Sequence, residues 1–167
     1  MKPILAAAIW IAMSFPAASQ PAWSFRQNKD PMTDKVTAHA ILTGDVGSLG
    51  VGCSGAAGSD PGVSIIVVTD EFLGQDILGR GRPGRVRFDD RKMSETTWHY
   101  GSNGAWPDDA ETANFVARLL AAQKLAIQLT TFEDHNVTIA FDASGGQDAL
   151  RQVYAACGYS LPAPNSN

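Results

Sequence analysis

Cysteine, histidine and long apolar runs are what this sequence of 167 residues has least of. The three histidines, His39, His99 and His135, stand far apart, and none has a second ligand at helical or hairpin spacing. A zinc site announces itself by tight ligand spacing, so no metal is expected. Glu133, Asp134 and His135 crowd one short segment and read as solvated turn residues. No Gly-x-Ser-x-Gly elbow is present, and the nearest string, Cys53-Ser54-Gly55, runs into a loop. The glycines of GDVGSLGVG (44–52) are followed by a strand pattern without a Lys-Ser/Thr pair, which excludes a phosphate cradle. No cofactor is expected. Beyond the N-terminal stretch no segment is apolar for long enough to cross a bilayer as a helix.

That N-terminal stretch, MKPILAAAIWIAMSFPAASQ, carries one charge at Lys2, an apolar run from Ile4 to Phe15, and small residues at Ala17 and Ser19. The pattern predicts a signal peptide over residues 1–19, hence an exported chain that is periplasmic or secreted and without stable membrane insertion after cleavage. Losing Lys2 takes 13 basic side chains to 12 against 17 acidic, a net charge of −5. Such a balance gives no global attraction to nucleic acid. The remaining length suits one domain, placed at 20–160, with a flexible tail at 161–167.

Strand patterns recur along this domain. VTAHAILT (36–43) alternates, LGVGCS (49–54) is a weaker strand, and VSIIVVTD (63–70) is apolar on both faces, as in a buried central strand. GRVRFDD with SETTWHY, and KLAIQLTTF with NVTIAFDA, read as two hairpins. Residues 20–34 read as an irregular or partly extended lead-in. Two helices interrupt the strands. DDAETANFVARLLAAQK (108–124) has Asp108 as N-cap, and SGGQDALRQVYAACG (144–158) opens with a Ser144–Gln147 capping box and closes at Gly158. The expected fold is α+β: a mainly antiparallel sheet or sandwich of six or seven strands, covered by two helices and tied by one disulfide.

The disulfide follows from compartment and placement. Exported chains pair their cysteines, and Cys53 and Cys157 are the only two. Leu150, Val153, Tyr154 and Cys157 share one helical face, which aims the late thiol at the sheet. A helix C-terminus also raises a thiol pKa, which argues against a reactive thiolate.

In this acidic chain one segment reverses sign: Arg80, Arg82, Arg85 and Arg87, followed by Asp89, Asp90, Arg91 and Lys92. These eight residues are the candidates for partner binding, since a local patch steers an oppositely charged partner. The plainer alternative is an edge strand kept unpaired by its charges. Trp98, opposite this strand, is expected in the core.

Several motifs in series carry a resemblance. They are Asp30 to Asp34 (DPMTD), Leu49 to Cys53 (LGVGC), Val86 to Asp90 (VRFDD), Trp98, Arg118 to Ala122 (RLLAA), Thr138 to Asp142 (TIAFD), and Ala156 to Tyr159 (ACGY). In this order, with both cysteines in place, the chain resembles the VasI/TagO family associated with type VI secretion, which also has prophage-borne members. The similarity runs from about residue 23 to 159. Gly52 and Tyr159 depart from it, where the family commonly carries Arg and Trp. The resemblance implies a non-enzymatic periplasmic accessory protein with a protein partner in the cell envelope. An inhibitor or immunity-type protein against an envelope enzyme is the alternative, and a cell-wall hydrolase the second.

Overall fold

The computed structural model describes residues 23–55, 62–76 and 79–164. The expected leader, most of the GAAGSDPG loop and the end of the expected tail lie outside the described residues. The elements are β1 (Trp23–Lys29), β2 (Val36–Thr43), β3 (Gly47–Gly55), β4 (Gly62–Thr69), β5 (Arg82–Phe88), β6 (Ser94–Tyr100), β7 (Gly104–Pro107), α1 (Asp109–Leu119), β8 (Lys124–Thr130), β9 (Asn136–Asp142) and α2 (Gly146–Ala156). One sheet runs β1-β2-β3-β4-β7-β6-β5-β8-β9, antiparallel at every pairing.

The described sheet has nine strands, against six or seven expected. The extra two are β1 and β7. In β1 only Trp23 is buried, so no alternation marks it; its strand form depends on pairing with β2. β7 has four residues, GAWP, too few for a period. β4 is interior as expected, yet covered on one face only: Ile65 and Val67 are buried while Ile66 is 43% exposed.

Each strand sends alternate side chains to one common core. Leu42, Leu49, Val67, Trp98, Ile127 and Ile139 are fully buried there. The sheet curls around this core until the β2–β3 turn meets β9. The Asp45 amide donates to the Ala140 carbonyl (3.3 Å), and the Asp45 carboxylate accepts the Ala140 amide (2.9 Å). Inside the curl, Phe115 of α1 sets its ring edge-on to Phe88 and Trp98, at 5.2 and 6.1 Å between centroids. α2 lies across β1, β2 and β3, burying Leu150, Val153 and Tyr154.

Both helices are shorter than their patterns. α1 stops at Leu119 because the chain is drawn into β8: the Asp89 carboxylate accepts the amides of Gln123 (2.8 Å) and Lys124 (2.9 Å). The Ser144–Gln147 capping box does not form. Gly145 is the N-cap, and the Ser144 hydroxyl donates to Gln123 instead (3.2 Å). The C-terminal stop is as expected. Gly158 is left-handed (φ 75°), and the Tyr159 amide closes on the Tyr154 carbonyl (2.8 Å).

Cys53 and Cys157 are bonded, with Cα atoms 6.4 Å apart and a sequence separation of 104, so α2 is fastened to β3. A closed loop of that length stabilises by roughly 4–5 kcal/mol in the chain-entropy description, and measured losses run about 2–5 kcal/mol. Cys157→Ser should lower the urea-derived unfolding free energy by about that range, and reductant should do the same to the parent chain. Gly84 gives a second expectation. A Cβ there would lie 2.5 Å from the Trp98 indole, which is held in the core by Phe115. Gly84→Ala should cost about 1–3 kcal/mol by overpacking, read as a lower melting temperature.

Candidate functional site

The strand period divides the cationic cluster. On β5, Arg82, Gly84, Val86 and Phe88 turn inward or sideways into the fold, while Pro83, Arg85 and Arg87 face outward. Arg82 is therefore no free contact residue. Its guanidinium lies 3.8 Å from the centroid of the Tyr100 ring and donates to the carbonyls of Leu73 and Gly74. Here it supports the loop after β4.

The strand is also no edge. β5 is paired with β6 on one side and β8 on the other, so the arginines do not serve to keep an edge unpaired. Nor do they sit on a protruding finger; Arg85 and Arg87 lie on the outward face of the sheet. Arg85 reaches Glu95 (3.5 Å) and the Gln128 side chain (3.3 Å). Arg87 is exposed and has no ion pair among the described residues. Lys124, outward on β8 and exposed, adds a third cation. Arg87 and Lys124 border an open concavity of about 580 Å³ that also takes in Asp90, Asp142 and Ser144. Arg80 is exposed on the loop before β5, and Lys92 is exposed in the turn after it.

The two aspartates of VRFDD have different tasks. Asp89 adopts φ 51° and binds the α1–β8 connection through its carboxylate and through its own amide, which donates to the Lys124 carbonyl (2.9 Å). These bonds cross from the β5–β6 turn to another part of the fold, beyond the hairpin turn itself. Asp90 is exposed. Arg91 is half-buried and lies near Arg118 of α1. In the sequence Arg118 stands out only as part of the RLLAA motif, with no site role. Its guanidinium covers the Phe88 ring at 4.4 Å and donates to the Ser94 hydroxyl (3.1 Å). Burial and the neighbouring Arg91 lower its pKa. The available signal was its place one turn after Phe115 on an otherwise apolar face.

Trp98 is in the core, as expected. The histidines are not brought together. His39 faces outward on β2 beside Arg26 and Gly52. His99, on β6, lies between two carboxylates: Nε2 is 2.5 Å from Asp108 Oδ1, and Nδ1 is 3.6 Å from Asp76 Oδ2. The Trp106 ring stacks beside it at 6.2 Å. Asp108 occupies the N-cap of α1 as expected, but its carboxylate serves His99 and makes no capping bond. Both imidazole nitrogens face a carboxylate, so this cluster offers neither nitrogen to a serine or threonine hydroxyl. Among the described residues no group of three or more His, Cys, Asp or Glu has a metal-holding arrangement.

No protein-family model matches the chain, and neither a curated protein nor a solved structure does.

Asp89 yields a pH-dependent expectation. Its bonds to the Lys124 and Gln123 amides favour the ionised carboxylate and hold its pKa below the ordinary value. A depressed folded-state pKa contributes stability above the unfolded-state value, and that contribution is lost as pH falls through the folded one. Asp89→Ala should therefore lower the urea midpoint at neutral pH. The gap between variant and parent should shrink as pH falls below the ordinary carboxylate range.

Proposed function

We propose that the chain is an exported, non-catalytic interaction protein of the bacterial cell envelope, an accessory of an envelope apparatus of the kind its resemblance to the VasI/TagO proteins implies. The observation that carries the contact surface is the outward placement of Arg85 and Arg87 beside Lys124 on interior strands of the sheet. Backbone groups there are already satisfied, so recognition runs through side chains. The partner surface it suits is acidic. Asp89, which belongs to the VRFDD motif, and Arg82, which lies before it, support the fold under this surface.

The signal peptide, the accessory role and the charged face are tested together in the native envelope. N-terminal sequencing of the exported chain should begin at Gln20. Photo-crosslinking from a probe at Met93, beside Arg85 and Arg87, should trap one envelope protein. The double variant Arg87→Glu, Lys124→Glu should lower the association rate at least about tenfold, with an unchanged melting temperature. A variant that associates like the parent would remove this face from the reading. Hydrolysis of peptidoglycan by the purified chain would remove the accessory role.

A further inference from the structure

The loop after β4 and the β8–β9 turn hold two phenylalanines in solvent. Phe72 is 55% exposed and Phe132 66%, with ring centroids 5.5 Å apart. They are not loose. The Phe132 amide donates to the Phe72 carbonyl (3.1 Å), the Leu73 amide to the Ser102 carbonyl (2.7 Å), and the Asp76 amide to the Tyr100 carbonyl (2.9 Å). Arg82 grips the Leu73 and Gly74 carbonyls from beneath while lying on the Tyr100 ring. Gly74, at φ 75°, lets the Phe132 ring lie against the backbone, because a Cβ there would stand 2.7 Å from it. Rigid aromatic side chains of this kind make binding anchors, since little freedom is lost when they are covered.

Val46, also exposed, faces this pair across a concavity of about 450 Å³. Glu71 and Glu133 stand on its lining, with Asp70 and Asp134 next to them in the chain. Among the described residues no Lys or Arg lines it, and the basic group there is His135, 3.7 Å from Glu133. Asn136 and Thr138 of β9 form the remaining wall. β9 is an edge, and Ala140 gives both its backbone groups to Asp45. Backbone groups in an antiparallel strand alternate in direction, so those of Thr138 and Asn136 face the open edge as well.

We propose that this concavity seats an extended, cationic segment of a protein partner. Its backbone runs beside Asn136 and Thr138, its apolar side chains cover Phe72, Phe132 and Val46, and its basic side chains meet Glu71 and Glu133. An anionic lipid surface fits poorly, because those carboxylates repel it. A second copy fits less well: its outward cations Arg85 and Arg87 sit on β5, which is paired on both sides, and at its own free edge, β1, Asp34 holds Lys29 (2.7 Å), which leaves Arg26 alone to meet two carboxylates. This site is separate from the Arg87–Lys124 face, and Arg82 belongs to it as a positioning residue.

The test is a titration of the oxidised, exported chain, isotope-labelled for NMR, with a pentapeptide of alternating lysine and leucine. A glutamate–leucine pentapeptide serves as the control. The lysine peptide should shift the amides of Phe132, Asn136 and Thr138 saturably, and the glutamate peptide should not. Phe132→Ser, at an exposed position, should weaken binding at least about tenfold without lowering the melting temperature. Arg82→Lys should move the Phe72 and Gly74 amides before peptide is added and weaken binding as well. Arg87→Glu should leave it unchanged, which separates this site from the face proposed above. Equal binding of both peptides would overturn the proposal. So would unaltered affinity in Phe132→Ser, binding of the parent to phosphatidylglycerol vesicles through Phe132, or a concentration-dependent dimer that hides these amides.

Discussion

A sheet that buries only one of its faces needs something to bury it against, and this one curls around its own core. Here the inward parity of every long strand feeds one core, from Leu42 and Val51 through Val67 and Phe88 to Ile127 and Ile139. The curl continues until Asp45 bonds to Ala140, with Gly44 allowing a backbone approach that a Cβ would block at 2.8 Å. Surface chemistry is then a by-product of parity. Arg85 and Arg87 face outward because Val86 and Phe88 must face inward, and a slip of one residue would drive both arginines into the core. The outward set on β8, with Lys124 at its start, is fixed by the same requirement on Leu125 and Ile127.

Parity is local, and so much of it was legible in the sequence: seven strands, both helices, the buried Trp98 and the inward face of α2 can be read there, although the β-branched run of β4 hides which of its faces is inward. What depends on a distant neighbour was not legible. An arginine-rich strand resembles an edge by composition, and only the arrival of β8 from beyond α1 makes β5 interior. Arg82 reads as one more cation because its neighbours Gly81 and Pro83 have no period. The carbonyls it holds belong to a loop with no period either. The early end of α1 is set by Asp89, from a turn far upstream. β1, with one buried side chain, is a strand by virtue of β2 alone.

The disulfide and the two proposed surfaces occupy different parts of the sheet. Cys53 and Cys157 tie α2 to β3, whereas the cations lie on β5 and β8 and the aromatic pair beside β9. Covalent stability is thus supplied where no recognition is proposed. Arg82 makes the opposite economy, since one guanidinium both fills space against Tyr100 and sets the height of the Phe72 loop. The residue that sequence places with the cationic contacts turns out to serve the acidic, aromatic surface.

An open sheet has two edges, and their treatment here differs. β1 carries Arg26 and Lys29, the latter paired with Asp34, and charges of this kind discourage a second chain from pairing. β9 is closed at Ala140 by Asp45, but beside Asn136 and Thr138 the chain fixes two exposed phenylalanines. An open edge flanked by aromatic surface is an aggregation hazard unless something keeps like copies apart. Glu71 and Glu133 do so: two copies meeting at this edge would bring four carboxylates together, and the repulsion falls away only for a cationic segment. The carboxylates that keep the edge soluble are therefore the same ones that select its partner, which is why solubility alone does not account for the phenylalanines. An edge meant only to stay unpaired would need the charges of β1, and would have no use for Phe72 and Phe132.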